Sequence, residues 1–251
     1  MSMADAELQA CFGALATVTR LNVSGWPSSH EELQFLLRPG VVSGVAALTQ
    51  LCTIHLGNRS IGMDSAVALR GALPTLQLLK QFSMKNCQCG KDLSEVMAGL
   101  RTVTGLENLD LSGNDLSQAT AEVAEALRAL PHLQTISLSN GGFETPAALG
   151  VVLGALHGTK GLLRVELSCD DPCSEDHAAR LGALIDLIDA SDSLRAVAID
   201  LLGNIRYLDI EYLFMLGYLE RLSQCLESVA MKDPLRLVQL WQVLDIFQNC
   251  C

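Results

Sequence analysis

A leucine spacing that recurs through most of the chain constrains its fold more than any other feature. In Leu106-Glu-Asn-Leu109-Asp-Leu111-Ser-Gly-Asn114-Asp-Leu116, apolar residues flank Leu109 at fixed offsets and an asparagine follows it. The spacing returns around Ile54 (Leu51, Leu56, Ile61), Phe82 (Leu79, Met84, Cys89) and Ile136 (Leu133, Leu138, Phe143). Shorter matches surround Leu21 (Val18, Val23), Val165 (Leu162, Leu167) and Val197 (Leu194, Ile199). The intervals between these seven central residues are 33, 28, 27, 27, 29 and 32. A unit of that length cannot bury its apolar face alone, so such units stack on one another, and the outer ones drift from the pattern.

Helix signals lie between the strand-like segments. Thr145-Pro146 supplies an N-cap followed by a proline whose missing N–H costs nothing in the first turn, and Gly158 is expected to cap the end of that helix. Ser117 precedes Ala119 to Leu130, in which Val123, Ala124, Leu127 and Leu130 share one face. Ser29-His-Glu-Glu32 has the form of a capping box ahead of Leu33, Leu36 and Leu37. Each unit therefore reads as a short strand, a turn and a helix.

The pattern resembles the leucine-rich repeat. The central periods with one helix per unit resemble its ribonuclease-inhibitor-like subclass, over roughly residues 15 to 203. The resemblance implies an α/β fold, a leucine-rich-repeat solenoid shaped as a right-handed horseshoe with parallel strands on the concave face and helices on the convex face. It divides the chain into an N-terminal helical cap (1–14), about seven repeats (15–203) and a helical C-terminal cap (204–251). It also implies that an asparagine or cysteine, five residues after each central residue, bonds to the backbone of adjoining turns. Those positions hold Trp26, Arg59, Cys87, Asn114, Gly141, Asp170 and Leu202, so only Cys87 and Asn114 keep the pattern and a continuous ladder is not expected.

Composition removes several function classes. With 28 Asp and Glu against 17 Lys and Arg, the formal charge of −11 and the lack of a basic cluster argue against nucleic acid and against anionic membrane surfaces. The longest apolar run, near Tyr212 to Tyr218, is far short of the ~20 residues of a membrane span. Met1-Ser2-Met3-Ala4-Asp5 lacks a basic start and an apolar stretch, so the nine cysteines are expected reduced, in the cytoplasm or nucleus.

No motif demands catalysis, a metal or a cofactor. Cys169, Cys173 and His177 have metal-like spacing within an acidic loop, but structural zinc takes four ligands and no further pair stands nearby; Glu175 and Asp176 suit the first turn of a helix instead. Gly154-Ala-Leu-His-Gly158-Thr159-Lys160 departs from a phosphate loop, because its lysine does not follow the second glycine directly. Residues 205–231 are apolar on nearly every side, and Asp233-Pro234 opens a segment with Trp241 and Phe247, read as helices that cap the core or serve oligomerisation.

The expected function is that of a non-enzymatic scaffold binding a protein on the concave face. The alternative is a GTPase-regulating role of the Ran-activator type, which the family resemblance alone suggests. Candidate binding residues beside the buried strand positions are His55, Lys85, Asp110, Glu166 and Asp200. The first half of that face reads neutral to weakly basic and the second acidic, which would suit a partner with a basic patch.

Overall fold

The computed structural model describes residues 17–22, 24, 45–58, 60–143, 145–169, 183, 186–187, 194, 196–201 and 204–209. Eight strands run in chain order: β1 (Arg20–Asn22), β2 (Thr53–His55), β3 (Gln81–Ser83), β4 (Asn108–Asp110), β5 (Thr135–Ser137), β6 (Arg164–Cys169), β7 (Ala196–Leu201) and β8 (Asn204–Asp209). They form one sheet in which each strand lies beside the next in sequence. From β1 to β7 every pairing is parallel, and the seven central residues form a single row: Leu21, Ile54, Phe82, Leu109, Ile136, Val165 and Val197.

Parallel neighbours require a crossover of a dozen or more residues, and the repeat interval provides it. Between β2 and β6 each crossover carries one helix: α1 (Met63–Ala72), α2 (Leu93–Leu100), α3 (Thr120–Arg128) and α4 (Pro146–Ala155). Successive helices pack against each other as a second layer. The core lies between the layers. Leu106, Leu109, Leu111 and Leu116 are buried together, as are Leu133, Ile136, Leu138 and Phe143, and helix residues such as Val96, Leu100, Val123 and Leu127 close over them. Each such side chain contributes roughly 1.5–3 kcal/mol when fully buried.

Local sequence accounts for the helix ends. Thr145 Oγ1 accepts a hydrogen bond from Ala148 N at 3.2 Å, with Pro146 in the first turn, as the residue types require. Asp115 does the corresponding work before α3: its Oδ1 accepts from Ser117 N at 3.0 Å, and a 3-10 turn (Ser117–Ala119) leads into the helix. Gly158 does not serve as expected. The helix stops at Ala155, its C-cap Leu156 is right-handed, and Gly158 is not among the glycines with positive φ.

A row of left-handed residues turns the chain after each of the strands β2 to β5. Asn58, Asn86, Gly113 and Asn140, each four residues beyond a central position, have φ of 61°, 55°, 70° and 52°. Asparagine and glycine tolerate this region best. At Gly113 an added Cβ would stand 1.7 Å from Asn86 Oδ1. Gly113→Ala is therefore expected to destabilise by roughly 1–3 kcal/mol in urea titration. Adding Asn86→Gly should recover the steric part, so strictly additive losses would refute the contact.

The sheet ends differently from the expectation of a helical segment at 204–251. At 204–209 the chain is a strand, β8, antiparallel to β7 with Leu201 opposite Asn204. Only two residues separate those partners, a connection that permits antiparallel pairing and excludes a helical crossover. The expected N-terminal cap at 1–14, the capping box at Ser29, the remainder of the C-terminal segment and most of the Cys169 to His177 loop lie outside the described residues.

Candidate interaction surface

Because the central residues face the helices, their immediate neighbours in each strand occupy the opposite side of the sheet. Sheet register arranges them in rows. One row runs Asn22, His55, Ser83, Asp110, Ser137 and Glu166, and a parallel row runs Arg20, Thr53, Gln81, Asn108, Thr135 and Arg164. The second row follows from the same alternation, yet reading only forward from each central leucine overlooks it. Its omission hides Arg164 and Arg20.

The five candidate residues divide by what holds them. His55 is half-buried in β2, and Lys85 is exposed just beyond β3. Asp110 is tied down: Oδ1 accepts from Ser112 N at 3.0 Å and from Ser112 Oγ at 2.5 Å, while Oδ2 accepts from Ser83 Oγ at 3.1 Å. Glu166 forms an ion pair with Arg164 at 2.6 Å. Asp200 is placed by strand register alone, opposite Ser168 on β6 and Ile205 on β8. Thus the second half of the face, acidic when read forward from the leucines, has Glu166 balanced by Arg164 and Asp110 engaged by hydroxyls. The serines also differ from the picture of solvated side chains: Ser83, Ser112 and Ser137 are each less than a tenth exposed. Strands about 4.8 Å apart let flanking side chains cover small ones.

The edge of this face is held by the asparagine chemistry. Asn114 is buried, its Nδ2 donating to Met84 O at 2.7 Å and Leu111 O at 2.9 Å, and its Oδ1 accepting from Cys87 N at 2.9 Å. One turn earlier, Cys87 Sγ donates to Leu56 O at 3.3 Å in the equivalent place. The expected pair of ladder positions is therefore present. The exposed asparagines four residues beyond the central positions add a contact the sequence reading missed, Asn86 Nδ2 donating to Asn58 Oδ1 at 3.1 Å. Asn or Gly at one fixed offset in four successive repeats is the signal that reveals it.

The Cys89 thiol is unsuited to nucleophilic chemistry. No disulfide joins Cys52, Cys87 or Cys89. A hydrogen bond with Cys87, burial, and the charges of Cys87 and Asp92 all push the Cys89 thiol well above the ordinary range. A thiol held protonated is neither a nucleophile nor a ready metal ligand. Among the described residues no group of three His, Cys, Asp or Glu converges to hold a metal. No described helix is long and apolar enough to cross a membrane. Gly154 lies within α4 and Lys160 beyond its end, so that segment presents a helix C-terminus where a phosphate loop needs an N-terminus.

Neither a protein-family model nor a characterised protein sequence matches the chain. Among solved structures, the chain is similar to the leucine-rich repeat-containing protein LegL7 of Legionella pneumophila, at 18% sequence identity and a TM-score of 0.40, over 80% of this chain and 72% of that one.

Proposed function

We propose that this chain is a non-enzymatic scaffold that binds a protein partner on the sheet face opposite its helices. The observation that carries the reading is the unbroken parallel register from β1 to β7, which aligns the residues of successive strands in rows along one sheet. Stacked repeats use such extended surfaces for recognition. In the proposed molecule this surface is the concave side of a right-handed horseshoe of the ribonuclease-inhibitor-like kind. The chain beyond β8 closes its open end. The cytoplasm or nucleus is the proposed location.

The test locates the contact rather than merely finding a partner. A photo-crosslinking residue placed at His55 or Ser139 on the strand side, or at Glu122 or Glu125 on exposed positions of α3, is introduced into the full chain before exposure to lysate. Crosslinks to one same protein are expected from the strand-side positions only. Crosslinks confined to α3 would move the interaction to the helical layer and overturn the reading.

A further inference from the structure

Charge is distributed unevenly along the strand face. Although the chain carries 28 acidic residues, the strand segments 19–24, 52–57 and 80–85 contain no Asp or Glu, while they hold Arg20, His55, Lys80 and Lys85. Lys80 is engaged by Glu107 at 2.8 Å. Arg20 and Lys85 are exposed and have no ion-pair partner among the described residues. The nearest carboxylate on the next strand, Asp110, has both oxygens occupied by hydroxyls and an amide.

The surface between the two cations is low. Thr53 and Ser83 are small and buried. Gly57 lies between Ser24 and Lys85, and a Cβ there would come within 3.5 Å of Ser24 Cβ and 3.6 Å of Lys85 Cβ. Those are ordinary contact distances, and the tight approach is to Lys85 O at 3.2 Å; a side chain here would fill the space between Ser24 and Lys85, so glycine keeps the face low. From β1 to β3 the flat zone is about 10 Å wide, two strand spacings. That width matches the Debye length near 0.1 M salt, about 10 Å, so a local cationic zone acts there while the distant carboxylates are screened.

We infer that the first three turns of the strand face dock an extended acidic segment of the partner, with Arg20 and Lys85 as the cations that receive its carboxylates. The inference rests on the strand face being the interaction surface, and it adds the polarity of the occupant. An acidic segment is repelled by the whole chain when screening is weak and attracted by the patch when screening is intermediate. Its affinity therefore passes through a maximum as salt rises, since the Debye length falls from about 30 Å at 0.01 M to about 3 Å at 1 M.

The probe is a fluorescein-labelled oligoglutamate peptide, titrated into the full chain at low, intermediate and high salt. Binding that peaks near 0.1 M is expected, and Lys85→Glu should weaken it by at least about tenfold. Arg128→Glu, an equal change of net charge on the exposed side of α3, should weaken it by less than about twofold. Equal losses from the two substitutions, no binding of the peptide at any salt, or backbone resonances of β1 to β3 shifting with oligolysine instead would overturn the inference. Strand-side crosslinks to the partner together with any of those results would reject the acidic occupant and leave the scaffold reading intact; crosslinks confined to α3 would remove both.

Discussion

Leu109→Asp is expected to leave the protein unfolded at neutral pH, whereas Asn108→Asp, one residue earlier, leaves it folded. Leu109 is 1% exposed in the middle strand of the parallel series, beneath α2 and α3. Its removal costs roughly 2–5 kcal/mol through lost transfer energy and the space left behind. A carboxyl group in that space either stays ionised, unpaired and desolvated, or takes up a proton, and either state adds several kcal/mol. The sum reaches the 5–15 kcal/mol that typically separates a folded domain from its unfolded chain. Asn108 points to the other side of β4 and is half-buried, so an added charge there should cost less than about 1 kcal/mol. Circular dichroism melts of the two variants separate the sides of the strand. A cooperative, wild-type melt for Leu109→Asp would show that the register of the core is wrong.

The second large effect belongs to Asn114. Replacing it with leucine keeps the volume and deletes every polar contact, leaving Cys87 N–H and the carbonyls of Met84 and Leu111 without the amide that serves them. At about 1–3 kcal/mol for each of these three buried groups left unsatisfied, the expected loss is roughly 3–9 kcal/mol. Cys87→Ala removes only a weak S–H donor and should cost far less, and Asn114→Cys should recover part of the loss by supplying the donor that Cys87 uses one turn earlier. Urea midpoints would rank the three as Asn114→Leu lowest, then Asn114→Cys, then Cys87→Ala. In a stacked array the loss is also expected to be local at first, with amide exchange accelerating in β3 and β4 before β1 or β6.

Much of this was legible because stacking turns a linear spacing into a spatial row. The seven central residues from Leu21 to Val197 align in the sheet as their intervals require, even where those intervals range from 27 to 33. Variation in length is absorbed between strands, so it does not disturb the register. Asn114 and Cys87 were equally visible, since their role needs one residue type at one offset. The face was harder to read. Arg164 neutralises Glu166 across two residues of the same strand, and that pairing is seen only when both neighbours of the central valine are considered. The burial of Ser83 and Ser137 depends on side chains in adjacent strands, some 27 residues away, which no local pattern contains. At 204–209 the six residues Asn-Ile-Arg-Tyr-Leu-Asp are too short a stretch for a period to distinguish helix from strand, and the two-residue link to β7 decided the outcome.

That reversed last strand also limits how the molecule can vary. From β2 to β6 each turn repeats the previous one by the same translation, so a whole strand–helix unit could be removed or duplicated there and the flanking turns would still find a matching neighbour. After β7 the translation is broken. The sheet advances by one strand without a helix in the connection, so it no longer presents to a following unit the parallel edge on which all the earlier ones were laid. The hairpin thus gives the described sheet a polarity: a second molecule laid on β8 in the same orientation would meet an antiparallel edge instead of the parallel one that identical arrays would need to join end to end.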